Sequence, residues 1–247
     1  MKSSLTILCA LHLIGDALIL WLGYAWLSIP ESNTTHLLWS LFVVLLFACS
    51  ALWLHGTALA YFSGTESTFR RSGAAALRHL PALVVLAIVA LVVYWLVNLV
   101  NGALGNPAFS LASSLTMTFR KPVSPPSVLA VFHAIIWLIE WLVLPALFAP
   151  VAAAVAINGF SGFRKFAVRP RLWRSLAIFV LVLCVLRLPM KLLEWIPAMP
   201  NFGAEMASFL VRGGIAYLLF AGFLLVLERV ISSGMPSFTH RNNTAVP

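Results

Sequence analysis

The chain has 247 residues, of which 62 % are hydrophobic and 9 % are charged, and its mean hydropathy is +0.99. A soluble domain carries roughly 25 % charged residues, so this composition excludes a soluble globular protein and predicts an integral membrane protein. The formal net charge of +9 does not indicate a nucleic-acid surface, because the basic residues flank apolar segments as topology signals do.

Six apolar segments are each long enough to cross a bilayer as a helix, which requires about 20 residues. The first contains His12 and Asp16 and lacks a small-residue cleavage site, so we expect a retained helix rather than a signal peptide. The predicted fold class is all-α: a polytopic membrane protein with six transmembrane helices in residues 1–232 and a short polar cytoplasmic tail at 233–247. The predicted spans are approximately 5–28, 37–62, 82–104, 128–157, 175–198 and 207–231.

Lysine and arginine are distributed unequally between the two sets of connections. Eleven lie at the two ends of the chain and in the second and fourth connections, whereas only Arg120 and Lys121 lie in the opposite set. Because positively charged loops stay in the cytoplasm, the sequence predicts that both termini are cytoplasmic (N-in and C-in). We expect a multi-pass protein of a bacterial cytoplasmic (inner) membrane.

The second and fourth connections carry enough basic residues to contact anionic lipid head groups at the inner face. The residues predicted to make this contact are Arg70, Arg71, Arg78, Arg164, Lys165, Arg169, Arg171 and Arg174. Besides the lipid bilayer, a membrane protein partner or a second copy of the chain is a further expected partner, and nucleic acid is not.

Three histidines within the spans are candidate metal or haem ligands: His12, His55 and His133, on three separate helices. His12 and Asp16 share one helix face at i, i+4, but no pair shows a spacing specific for a metal. The three cysteines are predicted to be small apolar fillers. The sequence therefore predicts neither a metal site nor a cofactor. It shows no nucleophile–base pair, so an enzyme is not the favoured class.

Ionisable residues occur inside four of the spans, where they are rare and usually face the bundle interior or a wet cavity. Arg187, Lys191 and Glu194 follow each other at i, i+4 and i+7, which is one stripe of a helix. His133 and Glu140 repeat the i, i+7 spacing on the preceding span. Depth along the antiparallel helices predicts contacts between Glu140 and Arg187 and between Glu194 and Arg212, with Asp16 near Arg187 or Lys191.

These charges lead to a functional hypothesis of a transporter or permease-like protein whose outward-facing charge cluster binds a small polar or anionic substrate, a lipid head group or a proton. The alternative is a non-catalytic membrane subunit or scaffold with structural ion pairs, and a lipid-modifying enzyme is a third possibility. The predicted substrate- or ion-binding residues are Asp16, His133, Glu140, Arg187, Lys191, Glu194 and Arg212.

Overall fold

A computed structural model describes residues 2–30, 32–64, 68–165 and 172–233, and within these ranges the regular structure is helical, without a strand. Two short helical turns, a π turn at Ile139–Val143 and a 3₁₀ turn at Gly159–Ser161, flank α6. The helices are α1 (Lys2–Leu27), α2 (Thr34–Phe62), α3 (Phe69–Gly102), α4 (Gly105–Phe119), α5 (Pro125–Leu138), α6 (Leu144–Asn158), α7 (Gly162–Lys165), α8 (Leu172–Glu194) and α9 (Phe202–Ser232).

The all-α class and the presence of six long apolar helices are confirmed, and these helices are compatible with a multi-pass integral membrane protein. Their orientation in the membrane stays a prediction. The tail from residue 234 onward lies outside the described residues. The six candidate spans are Leu5–Leu27, Thr34–Phe62, Phe69–Gly102, Pro125–Arg164, Arg174–Glu194 and Phe202–Ser232.

The third long helix begins at Phe69, well before the apolar run that predicted it at residue 82. Its first turns bury small residues, Ser72, Gly73 and Ala76, against the core. The indole N–H of Trp53 in α2 donates to the carbonyl of Gly73 at 3.1 Å. Tertiary packing therefore extends a polar, Arg-rich segment as helix, which hydropathy alone does not predict.

A helix also forms in the connection between the third and fourth spans, where the sequence predicted only a loop. This helix, α4, packs Ala108 and Ala112 against Val128 of α5 and so forms a small separate apolar core. Ser124 caps the start of α5, because its hydroxyl accepts from the backbone N–H of Ser127.

The fourth long helix contains the π turn immediately before Pro145. One N–H of this turn bonds to the carbonyl five residues earlier. In that register the carbonyl of Glu140 would accept from residue 145, but proline has no N–H. The hydroxyl of Tyr94 in α3 donates to this carbonyl at 2.9 Å instead. The proline and the tyrosine together account for the π turn and satisfy its free carbonyl.

The main apolar core lies between α2, α3, α6, α8 and α9, and it uses alanine to bring the helices close together. Examples are Ala82, Ala153 and Ala156, each at most 1 % exposed. Small residues permit such approach between membrane helices, where van der Waals contact replaces the hydrophobic effect as the driving force. We call the end of the bundle where α1 begins and α2 and α9 end the proximal end.

Candidate functional site

Four ionisable side chains from three helices meet inside the bundle. His12 and Asp16 come from α1, His55 comes from α2 and Glu228 comes from α9. We call these four residues the His–carboxylate cluster. His55 and Glu228 lie seven and four residues before the ends of their helices, which places them about 10 and 6 Å along the helix axes from the proximal end.

Each imidazole of the cluster lies between the two carboxylates. On His12, Nδ1 is 3.4 Å from Asp16 Oδ2 and Nε2 is 3.5 Å from Glu228 Oε2. On His55, Nε2 is 4.0 Å from Asp16 Oδ1 and Nδ1 is hydrogen-bonded to Glu228 Oε1 at 2.7 Å. The two rings are tilted by 42° with centroids 5.6 Å apart. Of the four close contacts, only that of His55 with Glu228 is a hydrogen bond.

Burial of the cluster is nearly complete. His12 is 0 % exposed, Asp16 2 % and Glu228 3 %, whereas the side chain of His55 is 32 % exposed and reaches the surface of the bundle. Both ring nitrogens of His12, Oδ2 of Asp16 and Oε2 of Glu228 are buried without a hydrogen-bond partner in the described part of the chain. Buried polar atoms are normally paired, and for this reason the four atoms make the cluster the candidate site.

Close approach of α1 and α2 brings Asp16 next to His55. Gly15 precedes Asp16, and a Cβ placed on it would lie 2.7 Å from Cδ2 of Leu54, the residue before His55. A larger side chain at Gly15 would therefore collide with the side chain of Leu54 beside the cluster. The glycine is needed here because the helices touch, not because its backbone conformation is unusual.

Two side-chain hydrogen bonds tie α9 to the other helices of the cluster. The hydroxyl of Tyr217 donates to the backbone carbonyl of Leu13, which directly follows His12. The hydroxyl of Ser232 donates to the carbonyl of Leu59 at 3.1 Å, one turn beyond His55. The three helices are thus held to each other within a few turns of the four ionisable groups.

No lysine or arginine side chain of the described residues balances the charge of the cluster. Among the described residues, neither Asp16 nor Glu228 forms an ion pair with lysine or arginine; their only ionisable partners are the two histidines. Two ionised carboxylates beside neutral imidazoles would place two negative charges where an unpaired charge is costly. His12, Asp16 and His55 each present one ligand atom, all within 4.8 Å of one another, which is a spacing that can hold a metal ion.

The charged stripe of α8, Arg187, Lys191 and Glu194, lies elsewhere. All three side chains are exposed. Lys191 Nζ and Glu194 Oε2 form an ion pair at 2.7 Å, with the two side chains 70 % and 55 % exposed. The stripe does form one helix face, as its spacing predicted, but within the described residues that face is not covered by another charged helix.

Arg212 is buried, with 7 % exposure, but its partners are backbone carbonyls. The guanidinium donates to the carbonyl of Leu193 at 3.3 Å and to that of Trp195, where α8 ends. These carbonyls have no partner within the helix, and a cation also complements the negative end of the helix dipole. Arg212 therefore caps α8 and does not pair with Glu194.

Glu140 and His133 also lie apart from the stripe. Glu140 is half-buried at the π turn, and its Oε1 has no hydrogen-bond partner in the described residues. His133 is exposed and hydrogen-bonded through Nδ1 to Asn101 Oδ1 at 2.8 Å.

Three contacts expected from the sequence are absent from the described residues. Glu140 forms no ion pair with Arg187, Glu194 none with Arg212, and Asp16 none with Arg187 or Lys191. These pairings were wrong because depth along a helix was matched without knowing which face each helix turns to its neighbours. Asp16 is the one predicted site residue that belongs to the His–carboxylate cluster.

The basic residues predicted to contact lipid fall into two groups. Arg70, Arg71, Arg78 and Arg164 are exposed, which is compatible with that prediction without testing it. Arg174 instead donates to the carbonyl of Ile231 near the end of α9. Arg169 and Arg171, and the side chain of Lys165, lie outside the described residues.

Sequence reasoning set His12 and His55 aside as ligands and omitted Glu228 from the charges within the spans. The sequence did contain one signal for this cluster, which is the position of these residues along their helices. Counted from the proximal end, each of the three helices has a histidine or carboxylate within its first turns of apolar sequence. Glu228 is followed by Arg229 near the end of its helix, and such a pair resembles an ordinary interfacial charge pair.

No protein-family model, no curated protein and no solved structure matches the chain. The functional conclusion therefore depends on the geometry of the site.

Proposed function

We propose that the protein is a multi-pass membrane transport protein and that its substrate is a cation bound by the His–carboxylate cluster. The observation that carries this proposal is the set of buried polar atoms on His12, Asp16 and Glu228 that make no hydrogen bond and instead face one another at 3.4–3.5 Å. A cluster that served only to hold helices together would have its donors and acceptors paired, since an unsatisfied polar group weakens a buried network.

The sequence suggested a small polar or anionic substrate, a lipid head group or a proton, and the chemistry of the cluster favours a cation over an anion. Carboxylate oxygens and imidazole nitrogens are cation ligands, and no arginine or lysine forms an ion pair with them in the described residues. The basic side chains that would attract an anion are dispersed: Arg187 and Lys191 are exposed on α8, and Arg212 caps a helix end.

The position of the cluster supports movement of the ion rather than storage at a surface. All four residues belong to helices long and apolar enough to span a membrane, and ionisable residues in such segments commonly mark ion pathways. His55 is 32 % exposed, and we propose that an ion reaches the buried ligands past this side chain.

Uptake into proteoliposomes tests this function. The purified full chain is reconstituted with a metal-sensitive fluorophore inside the vesicles, and influx of Mn²⁺, Zn²⁺ and Mg²⁺ is compared with that into protein-free vesicles. Glu228→Gln is the test variant. Glu205→Gln is its matched control, because Glu205 lies on the same helix and is exposed.

We expect influx of at least one of these cations with the wild type and with Glu205→Gln. We expect at least about tenfold slower influx with Glu228→Gln, because changes to groups that orient metal ligands cost 10–100-fold. No influx of any of the three cations through folded protein would refute the transport function. Equal influx through the two glutamine variants would show that the cluster is not on the path and would favour the scaffold alternative.

A further inference from the structure

The two carboxylates of the His–carboxylate cluster are not equivalent. Glu228 Oε1 is already engaged, because His55 Nδ1 is hydrogen-bonded to it at 2.7 Å. Asp16 has no hydrogen bond from either imidazole; its oxygens lie 3.4 and 4.0 Å from His12 Nδ1 and His55 Nε2. The two carboxylates can therefore have different roles toward one ion.

The hydrogen bond to Glu228 determines which nitrogen of His55 is free to bind a metal. An ionised carboxylate only accepts, and with Glu228 in that form Nδ1 carries the proton and Nε2 of a neutral ring keeps its lone pair. That Nε2 is the nitrogen nearer to Asp16. Metal-ligating histidines commonly donate their other N–H to a carboxylate, which holds the ring and its tautomer in place.

His12 has the same arrangement with longer distances. Its Nε2 faces Glu228 Oε2 at 3.5 Å, and its Nδ1 faces Asp16 Oδ2 at 3.4 Å. One carboxylate, Glu228, thus lies on the far side of both imidazoles from Asp16. A proton on His12 Nε2 points toward Glu228 and leaves Nδ1 as the ligand atom.

The spacing of the remaining three groups fits a small metal ion. Two ligand atoms each about 2.1 Å from a tetrahedral metal lie about 3.4 Å apart. The distance between His12 Nδ1 and Asp16 Oδ2 is 3.4 Å, and the ligand atoms of His12, Asp16 and His55 all lie within 4.8 Å of one another. Modest contraction on binding brings the third ligand to the same spacing.

We propose that His12 Nδ1, His55 Nε2 and Asp16 bind a divalent first-row transition metal such as Zn²⁺, Mn²⁺ or Fe²⁺, and that Glu228 is a positioning residue that holds both imidazoles. Two nitrogen ligands disfavour Mg²⁺ and Ca²⁺, which take oxygen ligands. Three protein ligands leave a coordination position open, so the ion is exchangeable rather than permanently enclosed. This inference deepens the proposed function, since it concerns the same cluster.

Titration of the detergent-solubilised full chain with Co²⁺ tests the inference without measuring transport. Tetrahedral Co²⁺ bound by imidazole and carboxylate gives a visible absorption band, and Zn²⁺ then displaces it. We expect one Co²⁺ per chain, displacement by equimolar Zn²⁺, and no displacement by a large excess of Mg²⁺ or Ca²⁺.

Two kinds of variant separate ligands from the positioning residue. Asp16→Asn and His12→Gln are expected to lose the Co²⁺ band. Glu228→Gln is expected to give a band of the same shape, with about 10–100-fold weaker affinity for Co²⁺. Glu205→Gln, exposed on the same helix as Glu228, is expected to match the wild type. Size-exclusion profiles and melting temperatures verify that each variant is folded, and the two ligand variants provide independent tests if one of them is not.

Each outcome has a separate meaning. Absence of a Co²⁺ band in the wild type overturns the metal site, as does displacement by Mg²⁺. Loss of the band in Glu228→Gln with retention in Asp16→Asn overturns the assigned roles of the carboxylates. Binding without uptake in proteoliposomes removes the transport function and leaves this inference intact. Uptake of Mg²⁺ without Co²⁺ binding removes this inference and leaves the transport function intact.

Discussion

Two regions of the bundle hold several ionisable side chains, and they differ in the number of helices that contribute those side chains and in their burial. The stripe of Arg187, Lys191 and Glu194 lies on one helix and is exposed. The His–carboxylate cluster takes its members from three helices and is almost entirely buried. Regular spacing along one helix shows that residues share a face, but only packing between helices decides whether that face meets other polar groups.

The energetic consequences are opposite for the two regions. The lysine and glutamate of the stripe are exposed on the bundle surface and paired with each other, and exposed pairs contribute little to stability. The two carboxylates of the cluster have histidine partners but no lysine or arginine partner in the described residues, so two ionised carboxylates there are unfavourable unless a cation or protons compensate the charge. A costly arrangement of this kind is typical of a functional site.

The largest expected difference between the regions is in metal uptake. The triple variant Arg187→Gln, Lys191→Gln, Glu194→Gln is expected to transport within a factor of about two of the wild type. His55→Ala is expected to lose at least about 100-fold, because removing a ligand should cost no less than the 10–100-fold loss seen for groups that only orient a ligand. Initial rates in proteoliposomes at equal protein density measure both. Loss of uptake in the triple variant with retention in His55→Ala would show that the stripe, and not the His–carboxylate cluster, is the transport site.

Separation of α1 from α2 is expected to have the next largest effect. Gly15→Leu places side-chain atoms where Leu54 already lies and moves Asp16 away from His55. We expect at least about tenfold weaker Co²⁺ binding, together with about 1–3 kcal/mol lower stability from overpacking. Equilibrium titration and chemical unfolding in detergent measure the two effects.

Gly222→Leu is the matched control for that change. Gly222 lies on α9, and a Cβ built there has no heavy atom within 4 Å. Binding should be unchanged and stability equal or slightly higher, since leucine favours a helix more than glycine does. If Gly15→Leu bound the metal as well as this control, the close contact of α1 and α2 would not be what forms the site.

A smaller effect, on stability alone, is expected at Arg212. Arg212→Met removes the donors that reach the carbonyls of Leu193 and Trp195. We expect a loss of about 2 kcal/mol, as for hydrogen bonds made by charged groups, with metal affinity unchanged. Arg187→Met, on the exposed stripe, provides the comparison in the same unfolding assay. A parallel loss of metal affinity in Arg212→Met would mean that the helix cap and the cluster are coupled.

The smallest effect is expected at the ion pair of the stripe. Lys191→Ala breaks the contact with Glu194, but both side chains are exposed. We therefore expect no measurable change in the unfolding midpoint at moderate salt, where such pairs are screened. A clear destabilisation that disappears at high salt would show that the stripe contributes to the fold after all.

Much of the fold follows from composition and hydropathy, because a span requires a length of apolar sequence that few other structures need. The structure differs from the sequence prediction where packing between helices determines the local conformation. The polar start of α3 is helical because Ser72, Gly73 and Ala76 pack into the core. The π turn requires both Pro145 and the distant hydroxyl of Tyr94, and no local pattern contains both residues.

The candidate site was only partly predictable for the same reason. Asp16 was selected because a carboxylate inside a span is rare, and His12 was recognised as its neighbour on one helix face. Nothing in the local sequence connects them to His55 and Glu228, whose positions depend on the contact of Gly15 with Leu54 and on the bonds made by Tyr217 and Ser232.

X-ray absorption at the metal edge of the zinc- or cobalt-loaded full chain tests the central claim most directly. The account predicts a first shell of nitrogen and oxygen only, at about 2.0–2.2 Å, with the multiple-scattering signature of two imidazoles, and no metal bound at this site in His12→Gln. A sulfur shell, or a shell of water oxygens without imidazole scattering, would contradict metal binding by the His–carboxylate cluster.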